Sequence, residues 1–230
     1  MRPSSVGYRM QLALFDLDHT LLPIDSDVEW ARFLVRLGVV DGPSYGQRNE
    51  YFAQQYEAGT LDIAEFLDFQ LAPLARHPIA LLDSWHRQFM HEVIVPAIKP
   101  PARELVAKHT ARGDLCALVT ATNEFVTAPI ASALGLPHLL ATGIERIGDR
   151  YTGRPAGLPC FREGKITKTQ AWLAQSGWNL SDFERSWFYS DSANDLPLLA
   201  CVTDPVATNP DLRLEQHANK NGWRVLRLFQ

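Results

Sequence analysis

The chain has 230 residues, a formal net charge of −4 at pH 7, 46% hydrophobic residues and 21% charged residues. This composition is ordinary for a globular protein, and the length suits one domain or one domain with a large insertion. The negative charge argues against a surface that binds nucleic acid or an anionic membrane. No apolar run approaches the roughly 20 residues that a membrane-spanning helix needs.

Two further features bear on the cellular compartment. Residues 1–9 are polar and lack the hydrophobic segment of a signal peptide. Cys116, Cys160 and Cys201 are odd in number and lack metal-ligand spacing, which favours reduced thiols over disulfides. Together these features predict a cytoplasmic protein that binds neither nucleic acid nor membrane.

The most informative segment is LALFDLDHTLL at 12–22. Its apolar start predicts a buried strand at 11–18, and the strand ends on Asp16 and Asp18, followed by Thr20. Side chains two apart in a strand face the same way. Two carboxylates in a poorly solvated place cost several kcal/mol unless a cation or hydrogen bonds compensate them. The segment therefore predicts a site for a divalent cation and an anionic substrate.

The next part of the chain, from about Asp25 to Val95, has helical periodicity with breaks at turn residues. GTLDIAEFL is typical of a helix start, with Thr60 or Asp62 as the N-cap. The predicted helices lie near 26–38, 45–58, 61–75 and 78–94.

After Pro96 the pattern alternates between strands and helices, which predicts a mostly parallel sheet with helices on both faces. The predicted elements are a helix at 101–112, a strand at 114–121, a helix at 123–134, a strand and hairpin at 139–153, a helix at 165–175, a strand at 186–191, a short helix, a strand at 205–208 and a helix at 210–221.

Polar residues end three of the predicted strands. Asp16, Thr120 and Asp191 each lie at a carboxyl end, which is where ligands bind in open parallel sheets. Asp195 follows closely, and a lysine near the start of the 165–175 helix would complete the cluster. Three carboxylates cannot lie close together in ionised form without a hard cation, and Mg²⁺ suits such oxygen ligands.

The order DLDHT, an apolar strand ending in threonine, a lysine and DSAND resembles the four motifs of the haloacid dehalogenase superfamily of phosphohydrolases. The helical insertion after the first motif resembles the phosphoserine phosphatase-like subfamily. The resemblance implies an α/β fold with a Rossmann-like sheet, in which 1–24 and 96–230 form the hydrolase core. Residues 25–95 would then be an inserted helical-bundle cap domain.

Carried over by position, the resemblance makes Asp16 the nucleophile that forms an aspartyl-phosphate. Asp18 is the general acid and then the general base, and this second acid favours a phosphatase over a dehalogenase. Mg²⁺ would be held by Asp16, Asp191 and the main-chain carbonyl of Asp18. Thr120 and Lys165 would bind the phosphoryl oxygens.

The remaining site residues follow from the same resemblance. Asp195 would orient the lysine or the metal-bound waters. Lys165 is preferred over Lys168 because it follows a glycine and lies nearer the helix start. Asn194 either contacts substrate or caps a helix, and for Thr122 we favour capping. The predicted substrate contacts are Asp25, Asp27, Thr120, Ala121, Lys165 and Asn194.

The insertion bears on the substrate. In phosphoserine phosphatases an arginine of the third cap helix binds the substrate carboxylate, and here that position falls on Asp68 or Gln70. Phosphoserine is therefore disfavoured, because an unpaired carboxylate in a closed cavity costs several kcal/mol. A phosphate ester with an ammonium group and no carboxylate fits better, and the chain resembles a proteobacterial subgroup with histidinol-phosphatase activity. Asp25 and Asp27 are candidates for the amine contact, although either could simply cap the first helix of the insertion.

Alternatives remain at this stage. The enzyme could be a phosphoserine phosphatase, a broad-specificity phosphatase, or a phosphotransferase or mutase of the same fold. A phospho-accepting receiver domain is disfavoured, because Thr120 rather than an aspartate ends the second central strand. The oligomeric state is either a monomer or a homodimer.

Overall fold

The computed structural model describes residues 10–229, so the predicted polar extension at 1–9 lies outside the described residues. A seven-stranded sheet has the order β4-β3-β2-β1-β5-β6-β7. Its neighbouring strands are parallel except for the antiparallel pair β3 and β4. The strands are β1 (Leu12–Phe15), β2 (Leu115–Asn123), β3 (His138–Ile147), β4 (Arg150–Ala156), β5 (Ser186–Ser190), β6 (Asp204–Thr208) and β7 (Arg224–Leu226). The predicted α/β class is confirmed.

Helices cover both faces of the sheet. In the part of the chain that the structure describes, no helix is long and apolar enough to cross a membrane. The α-helices are α1 (Ser26–Arg36), α2 (Gly42–Ala58), α3 (Ile63–Ala75), α4 (Ile79–Phe89), α5 (Val95–Ala97), α6 (Pro100–Thr110), α7 (Glu124–Ala133), α8 (Glu163–Gln175), α9 (Leu196–Leu199) and α10 (Leu212–Asn221).

The central strand β1 is buried on both sides because its residues alternate between two apolar clusters. Ala13 and Phe15 belong to the cluster that also holds buried side chains of α1, α3, α4, α6 and α7. Leu12 and Leu14 belong to the cluster on the other face, with side chains of α8, α9 and α10. This double burial fixes where β1 ends and therefore where Asp16 lies.

The segment between β1 and β2 is helical, and aspartates begin its first three helices. Asp25, Asp41 and Asp62 are the N-caps of α1, α2 and α3, and each accepts hydrogen bonds from backbone N–H groups of the first turn. Of the two predicted caps for α3, Asp62 is therefore the correct one. Helix α2 ends at Gly59, whose φ of 72° is in the left-handed region that glycine adopts without strain.

Two elements differ from the sequence-based expectation. The predicted helix at 78–94 is α4 followed by a π-helical turn at Met90–Ile94, next to Pro96, whose ring nitrogen cannot donate a helical hydrogen bond. Strand β7 was not predicted. It has only three residues and adds to the edge of the sheet beside β6, so its short sequence carries no alternating pattern.

Candidate active site

The carboxyl ends of β1 and β5 bring two aspartates together. The backbone N–H of Asp16 donates to Tyr189 O at 2.9 Å, which ties the end of β1 to β5. Thr20 Oγ1 lies 3.2 Å from Asp16 Oδ2 and 3.1 Å from Asp191 Oδ1, so one hydroxyl bridges the two carboxylates. Burial and the charge of Asp16 raise the pKa of Asp191 well above its usual range. No role for Thr20 could be predicted from its position in the sequence.

Lys165 lies beneath this pair, in the first turn of α8. Its Nζ donates to Asp16 Oδ1 at 2.8 Å and to Asp195 Oδ2 at 2.6 Å. Asp195 Oδ2 also accepts from Ser190 Oγ at 2.7 Å. Burial opposes the charged form of Lys165, but the carboxylates of Asp16 and Asp195 outweigh it and raise the lysine pKa well above its usual range. The alternative, Lys168, is only partly buried.

An unusual backbone turn positions the start of α8. Arg162 has φ 49° and ψ −118°, a conformation that side chains rarely adopt. A Cβ atom on Gly164 would lie 2.0 Å from Pro159 O, so only glycine fits against that carbonyl. This tight packing holds the helix start, and with it Lys165, close to Asp16.

Both oxygens of the Asp18 carboxylate accept hydrogen bonds. Oδ1 accepts from Ser26 N at 2.6 Å, and Oδ2 accepts from Thr122 Oγ1 at 2.8 Å. Burial and the nearby charge of Asp25 raise the pKa of Asp18 to about 6. The expected capping role of Thr122 is wrong, because Asn123 caps α7 by accepting from its backbone.

Above these residues lies a cavity of about 920 Å³, lined by residues of the strand ends and of α1, α2 and α3. Thr120 and Ala121 line its floor with Asp16, Asp18 and Asp191. The hydroxyl oxygen of Thr120 accepts from the backbone N–H of Thr122 at 3.2 Å. Its own hydrogen therefore remains available for an anion in the cavity.

Two more aspartates line the wall of this cavity. Asp25 caps α1, accepting from Val28 N at 2.9 Å. Asp27 does not cap the helix, and its Oδ1 accepts from Asn123 Nδ2 at 3.3 Å. Burial and the charges of Asp25 and Asp18 raise the pKa of Asp27 well above its usual range. A cation in the cavity would relieve this crowding of negative charge.

The third helix presents Gln70 rather than Asp68 to the cavity. Gln70 is buried and lines the cavity, whereas Asp68 is exposed. Of the two positions aligned with the arginine of phosphoserine phosphatases, it is therefore Gln70 that faces the cavity. Among the lining residues, Arg32 is occupied by Glu29 and Arg213 by Glu57 O.

Asn194 has a different environment from the expected substrate contact. Its Nδ2 donates to Tyr56 O at 3.0 Å, and its Oδ1 accepts from Arg162. Arg162 also donates to Gly59 O, and Arg213 Nη1 donates to Glu57 O at 3.3 Å. Arg162, Asn194 and Arg213, here named the α2 latch, therefore hold the carboxyl end of α2 against the sheet domain. Sequence reasoning gave no signal for Arg162 or Arg213.

The oxygen atoms at the strand ends determine which ligands the protein can offer to a metal ion. Within residues 10–229, no group of three or more His, Cys, Asp or Glu side chains is arranged to hold a metal ion. The predicted ligand set contains only two carboxylates, those of Asp16 and Asp191, with a main-chain carbonyl as the third protein donor. The Asp18 side chain bonds to Ser26 and Thr122 instead.

Comparisons with known proteins agree with this arrangement. A histidinol-phosphatase of Neisseria meningitidis serogroup C (strain 8013) is 46% identical over 216 residues, or 94% of this chain and 97% of the relative. A solved structure of a protein with unknown function from Bordetella pertussis Tohama I has a TM-score of 0.92 and 50% identity, covering 96% of this chain and 100% of that one. A substrate-bound phosphoserine phosphatase, at 18% identity, shares the fold with a TM-score of 0.68 over 96% of this chain and 94% of its own.

The family assignment rests on a match to most of the chain. A model of the haloacid dehalogenase-like hydrolase family matches residues 13–200, from β1 to the residue after α9. The matched range contains the strand ends that carry Asp16, Thr120 and Asp191, and also Lys165. The chain therefore belongs to the haloacid dehalogenase-like hydrolase family.

Proposed function

We propose that this protein is a magnesium-dependent phosphomonoesterase that hydrolyses histidinol phosphate through an aspartyl-phosphate on Asp16. One observation carries the proposal. The Asp16 carboxylate lies on the floor of a cavity between a buried lysine and a second acid, while two further aspartates line the cavity wall. The floor suits a phosphate group, and the wall suits an ammonium group.

The donor set fits Mg²⁺. Asp16 is buried and Asp191 is partly buried, and their carboxylates share the single hydrogen of the Thr20 hydroxyl. A hard cation suits such oxygen donors. These carboxylates and the main-chain carbonyl of Asp18 would hold the ion. When bound, it supplies positive charge that neutralises the phosphate oxygens.

The chain's own groups account for the two chemical steps. In the first, Asp16 attacks phosphorus while the P–O bond to the substrate breaks, and protonated Asp18 gives its proton to the departing alkoxide. In the second, Asp18 takes a proton from water, whose oxygen attacks phosphorus and releases the Asp16 carboxylate and phosphate. A pKa of about 6 for Asp18 supports both roles near neutral pH.

The other polar groups at or beneath the floor would stabilise charge or position the catalytic groups. The Lys165 ammonium and the Thr120 hydroxyl would stabilise the equatorial phosphoryl oxygens. Asp195 orients Lys165 through the 2.6 Å hydrogen bond. Asn194, as part of the α2 latch, would act on the position of α2 rather than on the phosphate.

The ammonium group of the substrate would bind to Asp27, with Asp25 contributing charge. Histidinol phosphate has a primary amine, an imidazole and no carboxylate. The 46% identical histidinol-phosphatase supports this choice. Phosphoserine is less suitable because the two lining arginines are engaged elsewhere. We further propose that residues 25–95 act as a cap over a core of 1–24 and 96–230, since α1, α2 and α3 contribute to the cavity wall.

The test is release of inorganic phosphate by the purified protein from histidinol phosphate and from phosphoserine, with and without a chelator. We expect a higher kcat/KM on histidinol phosphate, loss of activity on chelation, and recovery with Mg²⁺. Asp16→Asn should lose at least ~10³-fold in turnover because the covalent route is closed. A higher kcat/KM on phosphoserine would contradict histidinol phosphate as the substrate. Near-native turnover of Asp16→Asn would contradict Asp16 as the nucleophile.

A pair of matched variants tests the amine contact. Asp27→Asn should raise the KM for histidinol phosphate at least about tenfold, because it removes a buried charge from the ammonium. Asp68→Asn makes the same chemical change at an exposed position of α3 and should have no effect. Phosphate release without any added acceptor distinguishes the hydrolase from a phosphotransferase.

A further inference from the structure

Gln70 is a buried polar residue in the wall of the cavity. It is 4% exposed, and it lies on α3 with its side chain lining the cavity. Within the described residues its Nε2 has no hydrogen-bond partner. Buried donors in folded proteins nearly always have a partner, so an unpaired amide at a cavity wall indicates that a ligand completes it.

The surroundings of Gln70 are apolar and aromatic. Phe66 lies one helical turn earlier on α3 and therefore shares its face. The ring of Phe66 meets that of Phe52 from α2 in an edge-to-face contact, with centroids 5.4 Å apart. Both rings line the cavity with Leu61 and Ile63. The amide of Gln70 together with these apolar side chains suits a flat group with few polar atoms, because the two rings offer such a group dispersion contacts.

The charged residues of the cavity further limit which class of ligand can bind beside Gln70. Asp25 and Asp27 line the same cavity, so a carboxylate at this place would meet negative charge and gain only a neutral amide. A neutral heterocycle of the imidazole type carries both an acceptor nitrogen and a donor N–H. The acceptor matches Nε2 of Gln70, and the flat ring matches Phe52 and Phe66.

We propose that Gln70 is the specificity contact for the heterocyclic ring of the substrate, with its Nε2 donating to the unprotonated ring nitrogen. This inference rests on the proposed function, in which the ring is the imidazole of histidinol phosphate. Each part of the substrate then has its own contact in the cavity. The strand ends bind the phosphate, Asp27 binds the ammonium, and Gln70 with the two phenylalanines binds the ring.

The test uses Gln70→Leu, which keeps a similar volume but removes the hydrogen bond. The substrates are histidinol phosphate and O-phosphoethanolamine, an ammonium phosphate ester without a ring. We expect kcat/KM on histidinol phosphate to fall about tenfold, mainly through KM. The value on O-phosphoethanolamine should stay within about twofold, since that substrate does not reach Gln70. Gln54→Leu, the same change on an exposed position of α2, is the control and should match the wild type on both.

A measurement without substrate separates binding from a structural role. Leucine replaces an unpaired buried amide, so the Tm of Gln70→Leu should equal or exceed that of the wild type. A lower Tm, or an equal loss of kcat/KM on both substrates, would overturn the ring contact while leaving the proposed substrate in place. A wild type that prefers phosphoserine to histidinol phosphate would overturn the proposed function, and the ring contact with it.

Discussion

Replacing Lys165 with methionine removes the cation of a buried cluster while keeping an unbranched side chain of similar length. The Lys165 side chain is 2% exposed and donates to two carboxylates, at 2.8 Å to Asp16 and 2.6 Å to Asp195. In Lys165→Met both carboxylates stay buried but lose their shared counter-charge. The variant therefore measures the cost of unpaired buried charge at the centre of the site.

The size of the effect follows from the burial of the cluster. Removing one partner of a buried ion pair costs about 3–5 kcal/mol, because the remaining charge is left without compensation. In a chain of this size each kcal/mol shifts Tm by about 2–4 °C, so we expect a fall of about 6–20 °C. Adding Asp195→Asn to this variant removes one of the two carboxylate charges that Lys165→Met leaves unpaired. The double variant should therefore lose less than the sum of the two single variants.

Thermal unfolding followed by circular dichroism, with a chelator present, is the assay. Lys168→Met makes the same chemical change one helical turn further along α8, where the side chain is only partly buried, and it should melt within about 2 °C of the wild type. If Lys165→Met melts as high as Lys168→Met, the ammonium is not the counter-charge of the two carboxylates, and the electrostatic reasoning about this site is wrong.

Two further predictions concern packing and pH. Gly164→Ala should lower both Tm and turnover because its Cβ would lie 2.0 Å from a carbonyl oxygen. The control is Gly46→Ala, where nothing lies within 4 Å of the added Cβ, and it should be neutral or stabilising by up to about 1 kcal/mol. Arg185 holds the pKa of Asp204 below its usual value by hydrogen bonding, so the pair stabilises the fold above about pH 4 and ceases to do so as Asp204 becomes protonated. Arg185→Gln should therefore lower the free energy of unfolding measured in urea at pH 7, by at most ~1 kcal/mol for so exposed a pair, and progressively less below about pH 4. An equal loss at pH 7 and below about pH 4 would contradict this.

The parts of the fold that depend on short-range patterns were predictable. An apolar run ending in aspartate marked β1, and alternating strands and helices indicated the parallel sheet, which the structure confirms. The carboxyl ends of parallel strands share an edge, and this rule alone brought Asp16, Thr120 and Asp191 into one hypothesis. The helix starts were also close, because aspartate N-caps are local signals.

The parts that depend on distant contacts were not predictable. Thr122 reads as a helix cap in the sequence, but its hydroxyl bonds to Asp18, 104 positions earlier. Asn194 was expected at the substrate, but its amide bonds to Tyr56, 138 positions away. Neither partner can be inferred from spacing along the chain, since the first contact depends on β1 lying beside β2 and the second on how α2 packs over the sheet.

The contacts of the α2 latch with the carboxyl end of α2 are largely electrostatic. The carboxyl end of a helix carries partial negative charge, and two guanidinium groups meet it there, from Arg162 and Arg213. Dissolved ions weaken such attractions, so raising the ionic strength lowers the free energy needed to lift α2. We therefore expect salt to weaken the contact of α2 with the sheet while leaving the buried pair of Lys165 and Asp195 largely unaffected.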